Sequence, residues 1–190
     1  MLLLHGTGGN ENDLVPLASR IAPDAAVLSP RGKVLENGMP RFFRRFPQGT
    51  FDLEDLRVRT DELAGFVETA SAAYKLDSRR VVAVGYSNGA NIAASMLLSH
   101  SRLLAGAVLF RPVLPFVPNT VPDLTGIPVL IAAGHLDEFV RAEETERLAA
   151  LLQETGARVT LRWHASGHEL TLDDIEAAKD WLSKNYSMSL

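Results

Sequence analysis

The sequence predicts an α/β fold, with a mostly parallel sheet of about six strands and helices on both faces. Short apolar runs alternate along the whole chain with longer segments of helical periodicity. Parallel strands joined by helices require right-handed crossovers, which place helices on both faces of the sheet. The run at residues 81–84 is apolar and β-branched without alternation, as expected of a parallel strand covered on both sides.

The predicted strands are apolar runs of three to seven residues, at 2–4, 25–28, 81–84, 104–110, 129–132 and 159–163. The predicted helices are segments whose apolar residues recur every three to four positions, at 12–21, from Asp52 onward, 88–99, 142–155 and 173–185. The second helix should bury one apolar face, formed by Leu56, Leu63, Phe66, Val67, Ala70 and Tyr74. Residues 31–53 and 112–126 are predicted loops, and we expect one domain over residues 1–190.

The composition narrows the classes of function. A net charge of -4 gives no electrostatic reason to expect nucleic acid or an anionic membrane as partner. The absence of cysteine excludes disulfides, thiolate metal sites and a cysteine nucleophile. The apolar start lacks a basic flank and does not match a signal peptide, and no run approaches the ~20 apolar residues of a membrane span. We therefore expect a cytoplasmic protein.

A glycine-rich turn, Gly6-Thr7-Gly8-Gly9, follows the first predicted strand. It supplies half of the dinucleotide-binding motif G-x-G-x-x-G, but Glu11 stands where the third glycine belongs. The closing Gly-Lys-Ser/Thr of a P-loop is absent, and Glu11 and Asp13 would repel a phosphate. Two interpretations remain: a plain tight turn, or backbone N–H groups that stabilise a developing oxyanion. The second requires a nucleophile elsewhere in the chain.

The strongest chemical signal is Gly85-Tyr86-Ser87-Asn88-Gly89, which fits G-x-S-x-G between a predicted strand and a predicted helix. A serine in such a sharp turn projects its hydroxyl above the sheet. Side chains two positions before and after it would clash with neighbouring backbone, which explains the two glycines. Serine needs a base to become nucleophilic, and the base needs an acid to orient it. The alternative is a purely structural turn.

Candidates for the acid and the base follow two later strands, in the chain order serine, acid, histidine that such sites use. Asp137 is favoured over Glu138 because it lies in the turn directly after its strand, although aspartate there can also cap a helix. His168 is favoured over His164, which sits at the strand end beside Trp163 and is expected to pack there or to line the rim.

The remaining histidines are expected to be structural. His5 should be buried and hydrogen-bonded, His100 should cap a helix, and His135 suits either a supporting role or exposure. His164 and His168 have the spacing of a helical metal site, but the Ser166-Gly167 pair between them disfavours a helix. We therefore expect neither a metal nor a cofactor.

Four segments, in this order, resemble the phospholipase/carboxylesterase family of α/β-hydrolases, which includes the acyl-protein thioesterases: LLLHGTGGNENDL, GYSNGANIA, GHLDEFV and SGHEL. Two more, MPRFFRRFPQGTFDLEDL and AGAVLFRPVLP, resemble a bacterial subgroup of carboxylesterases, some linked to hydroquinone and quinone stress. The resemblance runs from Leu2 to about Trp181. It implies an α/β-hydrolase fold with N-terminal strands reduced or missing, because family members usually carry a strand or hairpin before LLLHG.

The resemblance also implies site residues. Ser87 is the implied nucleophile, Asp137 the acid and His168 the base, while the backbone N–H groups of Thr7 and Asn88 form the implied oxyanion hole. No cofactor is implied. Dienelactone hydrolases usually rely on a cysteine nucleophile, so the absence of cysteine argues against that subgroup.

We therefore expect a serine carboxylesterase that cleaves small or short-chain esters through an acyl-enzyme on Ser87. A thioesterase or a lysophospholipase would use the same residues. Tyr86 and Asn88 stand where thioesterases tend to have Phe and Gln, so their substrates are not carried over. A non-catalytic binding protein on this fold is the alternative of a different class. The expected partner is a small-molecule ester, with no nucleic acid or membrane, and a homodimer stays open.

Two loops are expected to shape the substrate pocket. In the first loop, residues 38–51, the side chains would form an aromatic-walled rim with an arginine for an acidic or carboxylate-bearing substrate: Phe42, Phe43, Phe46 and Phe51 with Arg41, Arg44 and Arg45. Leu114 and Phe116 in the second loop would form an apolar wall. The alternative for the first loop is that its phenylalanines cover the sheet edge and its arginines are solvated.

Overall fold

The computed structural model describes residues 1–46 and 48–186. Its strands are β1 (Leu2–Leu4), β2 (Val34–Glu36), β3 (Met39–Arg41), β4 (Val82–Tyr86), β5 (Gly106–Phe110), β6 (Pro128–Gly134) and β7 (Arg158–His164). Its α-helices are α1 (Val15–Ile21), α2 (Leu53–Tyr74), α3 (Asn88–Ser99), α4 (Ala142–Glu154) and α5 (Leu172–Asn185). A parallel sheet has the strand order β1-β4-β5-β6-β7, and β2 and β3 pair separately as an antiparallel hairpin.

The sheet is covered on both faces, as its continuous apolar strands predict. Helices α2, α3 and α4 pack on the face that carries Leu2 and Leu4, and α1 and α5 pack on the face that carries Leu3. The alternation within β1 shows why so short a strand can be fully buried. Successive side chains enter opposite layers, and all three are at most 1% exposed.

The prediction of a strand at residues 25–28 is wrong. Only Leu28 reaches the sheet, through a single parallel bridge to Leu2. Leu28 N–H donates to the Met1 carbonyl, and Leu3 N–H donates to the Leu28 carbonyl. Pro30 has no N–H with which to continue this ladder. The sheet therefore has five strands and a bridge rather than six strands.

The predicted loop at 31–53 contains the β2–β3 hairpin. Asn37 and Gly38 connect the two strands with φ of 52° and 80°. A two-residue turn with positive φ at both positions matches the right-handed twist of a hairpin, and Asn-Gly is its strongest sequence signal. The dipeptide was therefore available in the sequence as a sign of this hairpin.

Helix α2 begins where predicted, with the Asp52 carboxylate accepting a hydrogen bond from the Asp55 N–H. Its predicted apolar face is only partly correct. Leu56, Leu63, Val67 and Ala70 are buried, but Phe66 and Tyr74 are 39% and 71% exposed. Helix α1 begins at Val15, later than the predicted residue 12, because residues 11–14 form turns.

The carboxyl ends of the parallel strands meet at one edge of the sheet, and the loops that leave them carry the candidate site residues. Thr7 follows β1, Ser87 follows β4, Asp137 follows β6 and His168 follows β7. Among residues 1–46 and 48–186, no helix combines the length and the apolar character needed to cross a bilayer.

Candidate active site

Ser87 occupies a strained turn between β4 and α3. Its φ of 52° and ψ of -114° lie outside the common regions for residues other than glycine. A Cβ on Gly85 would collide with the Gly89 backbone, and a Cβ on Gly89 would collide with the Leu4 carbonyl oxygen. Both glycines are therefore required by the close approach of α3 to β4 and β1.

Ser87, His168 and Asp137 form a continuous chain of hydrogen-bonding groups. His168 Nε2 lies 2.9 Å from Ser87 Oγ, and His168 Nδ1 lies 2.8 Å from Asp137 Oδ2. With the Nδ1 proton donated to the carboxylate, Nε2 is the acceptor for the serine hydroxyl. Ser87 and Asp137 precede His168 in the chain by 81 and 31 positions. The fold thus brings the predicted serine, acid and histidine together at one point.

The Asp137 side chain is held from both sides. Its Oδ1 accepts the backbone N–H groups of Phe139 at 2.9 Å and Val140 at 3.0 Å, while Oδ2 faces the imidazole. The side chain is 1% exposed. The turn-capping role and the role of an acid are therefore combined in one carboxylate, and the neighbouring Glu138 is not part of this contact.

The Thr7 N–H lies in the loop after β1, and the Asn88 N–H lies at the first residue of α3, directly after Ser87. Among the described residues, neither N–H donates to a protein acceptor. The Thr7 loop is braced by the hairpin, because Arg41 Nη1 donates to Thr7 Oγ1 at 2.8 Å and Gly8 N–H donates to the Pro40 carbonyl at 2.9 Å. Asn88 Oδ1 accepts the Phe42 N–H at 2.7 Å.

A cavity of about 770 Å³ opens above these groups. Its lining includes the candidate residues Thr7, Ser87, Asn88, Leu114 and His168. Three further residues of the predicted first loop, Arg41, Arg45 and Phe51, also line it. So do residues that the sequence did not single out, among them Thr50, Leu53, Asn91, Arg111, Val113, Phe139, Arg141 and Glu144. The expectation that Leu114 lies at the pocket is consistent with this placement.

Four other pocket candidates lie elsewhere, which corrects the sequence prediction. Phe42 and Phe43 are 5% and 0% exposed and belong to the core, where Phe42 packs against His5 and Phe43 meets Phe51 edge-on. The chain turns inward after the hairpin, so these aromatic rings cover the sheet instead of the cavity.

Arg44 and Phe116 are also not among the residues that line the cavity. Arg44 pairs with Asp52 at 3.0 Å and Asp55 at 3.7 Å at the start of α2. Phe116 packs, partly buried, against the core. Of the arginines in the predicted first loop, Arg41 and Arg45 do line the cavity.

The cavity edge near the hairpin is cationic. Glu36 lies 3.4 Å from Arg41 and 2.7 Å from Arg45, so one carboxylate faces two guanidinium groups. The hydrogen bond from Arg45 lowers the pKa of Glu36, which keeps it ionised. Burial lowers the pKa of Arg41, which is 3% exposed yet remains a cation because its ordinary value is so high.

The other histidines have structural positions. His5 accepts the Gly32 N–H at Nε2 and contacts the Gly6 carbonyl through Nδ1. It therefore connects the start of the glycine-rich turn to the segment that contains Gly32. His100 ends α3 and contacts Asp61, and His135 stacks on Trp163. Within the described part of the chain, no three His, Cys, Asp or Glu side chains are grouped to hold a metal ion.

Two residues beside the site were missed by sequence reasoning. The Tyr86 hydroxyl donates to the His168 carbonyl at 3.0 Å, and the buried Arg111 contacts the loop that carries His168. An arginine that follows the apolar strand Gly106–Phe110 was a sequence signal for a paired, buried cation, because lone charges are almost never buried.

Comparison with known proteins agrees with this fold. MhqD of Bacillus subtilis (strain 168), which carries the name of a hydrolase, is 49% identical over 181 residues, covering 95% of this chain and 90% of that protein. The crystal structure of the Bacillus cereus carboxylesterase is 51% identical, with a TM-score of 0.95 and coverage of 97% of this chain and 87% of that one. The structure of YahD with malic acid is 33% identical, with a TM-score of 0.92 and coverage of 97% and 92%.

The fold and these likenesses define an α/β-hydrolase similar to carboxylesterases, as the resemblance implied. The model of the dienelactone hydrolase family matches residues 48–185, and the chain belongs to that family of hydrolases. The absence of cysteine predicted a chain outside the dienelactone hydrolase group, and that prediction is wrong.

Proposed function

We propose that this hydrolase cleaves carboxylic esters through an acyl-enzyme on Ser87. The observation that carries the proposal is the chain of contacts from Ser87 Oγ to His168 to Asp137, at 2.9 and 2.8 Å, at the wall of the large cavity. A serine within hydrogen-bond reach of a base, which is itself oriented by an acid, is the arrangement that acyl transfer requires.

In the first half-reaction, Ser87 Oγ attacks the ester carbonyl carbon while His168 Nε2 takes the hydroxyl proton. Asp137 holds the imidazole and stabilises its protonated form. The Thr7 and Asn88 N–H groups donate to the oxyanion of the tetrahedral intermediate. One such donor typically contributes about 3–4 kcal/mol to transition-state stabilisation. The N-terminus of α3, which begins at Asn88, adds a favourable dipole.

In the second half-reaction, the intermediate collapses as His168 protonates the leaving alcohol. Water then enters, gives its proton to His168 and attacks the acyl carbon. The second tetrahedral intermediate releases the carboxylic acid and returns the proton to Ser87. The Bacillus cereus protein, 51% identical to this chain, is described as a carboxylesterase, which supports ester hydrolysis over other uses of the same residues.

The cavity favours small or short-chain esters. Its walls mix apolar groups such as Leu114 and Phe139 with polar or charged ones such as Asn91, Arg41 and Glu144. A long acyl chain would have to desolvate the charged groups without pairing them, which is unfavourable. Hydrolysis of p-nitrophenyl esters should therefore be fastest for short acyl chains, and a steady rise from acetate to palmitate would contradict this substrate class.

The test of the mechanism is Ser87→Ala, with Ser99→Ala at the exposed end of the same helix as the matched control. We expect kcat for p-nitrophenyl acetate to fall by about 10⁴-fold or more in the first variant, with unchanged circular dichroism, and to stay constant in the second. A fluorophosphonate should attach to Ser87 of the wild type and not to Ser87→Ala. A folded wild type that neither labels nor hydrolyses esters would refute the proposal.

A further inference from the structure

Arg111 is a buried cation at the carboxyl end of β5. It is 1% exposed, and its φ of 54° bends the chain at the residue after Phe110. Its guanidinium makes a bidentate pair with Asp174, at 2.8 and 2.7 Å, and neither side chain is exposed to solvent. A buried charge needs such a partner, and this pair alone would satisfy that need.

Of the remaining donors of Arg111, Nη1 also reaches the Ala132 carbonyl in β6 at 3.1 Å, and the others go to the loop that carries His168. Nε donates to the Gly167 carbonyl at 3.0 Å, and Nη2 lies 2.7 Å from the Glu169 carbonyl and 3.0 Å from Ser166 Oγ. The two carbonyls directly flank His168. A planar fork with five N–H donors can hold several acceptors in fixed directions, which a lysine ammonium cannot do.

Tyr86 completes the set of contacts. Its hydroxyl donates to the carbonyl of His168 itself at 3.0 Å, and its ring lies 5.4 Å from the imidazole. Three successive carbonyls, at residues 167, 168 and 169, are therefore held by two side chains. We call Arg111 and Tyr86, with these three carbonyls, the carbonyl clamp.

The carbonyl clamp is anchored to the strands that carry the nucleophile. Tyr86 directly precedes Ser87, and the Ser87 N–H donates to the carbonyl of Phe110, which directly precedes Arg111. Hydrogen bonds from Tyr86 and Arg111 thus attach the loop that carries His168 to the ends of β4 and β5. The same two strand ends set the position of Ser87. This connection spans 56 residues between Arg111 and Gly167.

Asp174 holds the Arg111 guanidinium in a fixed position. It is the third residue of α5 and forms a capping box with Thr171, so its carboxylate is also held by the start of a helix. Burial alone would raise the pKa of Asp174, but hydrogen bonds from Arg111 and Thr171 outweigh it and hold the pKa below its ordinary value. The carboxylate therefore stays ionised and keeps Arg111 oriented.

We propose that Arg111 is a positioning residue which, together with Tyr86, holds the loop at 166–169 so that His168 Nε2 faces Ser87 Oγ. The inference rests on the proposed ester hydrolysis. The loop contains Gly167 and forms neither helix nor strand, so its own backbone does not determine where the imidazole lies. A displacement of the base by about 1 Å can lower the rate by about 10²-fold.

The experiment compares Arg111→Lys and Tyr86→Phe with Leu182→Ala, which loosens the core of α5 without touching the loop. For each folded variant, kcat and KM for p-nitrophenyl acetate are measured per fluorophosphonate-reactive site. We expect Arg111→Lys to lower kcat by about 10²-fold with KM nearly unchanged. Tyr86→Phe should lower kcat by about 10-fold, the effect typical of one lost hydrogen bond. Leu182→Ala should lower stability and leave kcat unchanged.

A second readout separates positioning from a structural role. The low-field proton NMR signal of the His168 Nδ1–H bonded to Asp137 should broaden or disappear in Arg111→Lys and persist in Leu182→Ala. If Arg111→Lys is less stable but keeps its kcat and this signal, the positioning role is overturned. If Arg111→Lys does not fold, Tyr86→Phe decides by the same two readouts. A wild type without esterase activity would refute the proposed function, and the NMR comparison would then decide the clamp alone.

Discussion

Two cavities lie at opposite ends of the parallel strands, and they differ in chemistry more than in size. The first, of about 770 Å³, opens at the carboxyl ends and contains Ser87 and His168. The second, of about 500 Å³, opens at the amino ends near Met1, Val81 and Tyr186. The second is mainly apolar, lined by residues that include Ile21, Ala22, Pro23, Leu28, Leu76, Val82 and Leu182. Concavity and apolar walls alone therefore do not distinguish the candidate active site of this molecule from its other cavity.

The difference follows from what meets each end of the sheet. At the carboxyl ends, α3 begins at Asn88, whose N–H donates to no acceptor among residues 1–46 and 48–186, and the helix presents its positive dipole end. At the amino ends, α5 finishes, and its C-cap Tyr186 donates its hydroxyl to the Ala105 carbonyl at 2.9 Å. Burial raises the pKa of Tyr186, so this hydroxyl stays neutral. Within the described part of the chain, the carboxyl end therefore offers the cavity N–H donors without a protein acceptor, while at the amino end the Tyr186 hydroxyl is satisfied within the protein.

The largest expected effect separates the two cavities directly. Asp137→Asn should lower kcat for p-nitrophenyl acetate by about 10⁴-fold, because the amide no longer selects the tautomer with Nε2 free to accept the serine proton. Asp24→Asn, at the wall of the apolar cavity, is the matched control and should leave kcat unchanged. Steady-state kinetics on the folded variants measure this difference. Equal losses of kcat in both variants would contradict the assignment of ester hydrolysis to the cavity at the carboxyl ends.

The next largest effect is expected on stability, from a substitution in the turn that carries Ser87. Gly89→Ala should abolish folding or lower the free energy of unfolding by several kcal/mol, on the scale of about 1–3 kcal/mol for overpacking and more where backbone blocks relaxation. The added Cβ would collide with the Leu4 carbonyl oxygen. Urea unfolding measures the change.

Gly65→Ala is the control for that substitution. Gly65 lies inside α2, and a Cβ there would meet no heavy atom within 4 Å. We expect it to raise the free energy of unfolding by about 0.5–1 kcal/mol, since alanine is the better helix former. Similar outcomes for the two glycines would contradict the close packing of α3 on β1.

A third prediction concerns acid stability at the polar end. The pKa of Asp174 is held below its ordinary value of 3.8, so the unfolded chain takes up this proton first as the pH falls. Its stabilising contribution is complete above that value and is lost as the pH falls through the depressed pKa. The difference in free energy of unfolding between the wild type and Asp174→Asn should therefore shrink over this range. A constant difference in urea titrations across the range would contradict it.

The smallest effect is expected at the apolar cavity. Tyr186→Phe removes the hydrogen bond to the Ala105 carbonyl and should lower the free energy of unfolding by about 1 kcal/mol. Ester hydrolysis should not change, because the hydroxyl lies at the opposite end of the strands. A change in kcat, measured beside the urea unfolding curve, would show that the two ends are coupled.

Most of the fold could be predicted from periodicity, and the exceptions have local causes. The strand at 25–28 was wrong because an apolar run does not show that Pro30 cuts its ladder to a single bridge at Leu28. The exposed positions of Phe66 and Tyr74 could not be predicted either. Which side of a long helix meets solvent depends on how far its neighbours extend, and the sequence of α2 does not contain that information.

The candidate site could be predicted where local rules apply. Ser87 follows from a motif whose glycines are demanded by backbone contacts, and Asp137 and His168 follow from their places after strands. Phe42 and Phe43 were wrongly assigned to the pocket, because the direction in which the chain turns after the hairpin decides which residues of the loop face the cavity. That turn depends on contacts with Asn88 and Thr7, far along the chain.

The sequence by itself determined the alternating α/β order, the strained turn at Ser87 and the identity of the predicted acid and base. These depend on sterics and periodicity over a few residues. Only the tertiary structure decided that the three side chains meet at 2.8 and 2.9 Å, that Arg111 is buried against the loop of His168, and that Arg41 faces the cavity. The physical reason is that these contacts join residues 31 to 81 positions apart, and their geometry follows from the register and packing of strands that no local pattern encodes.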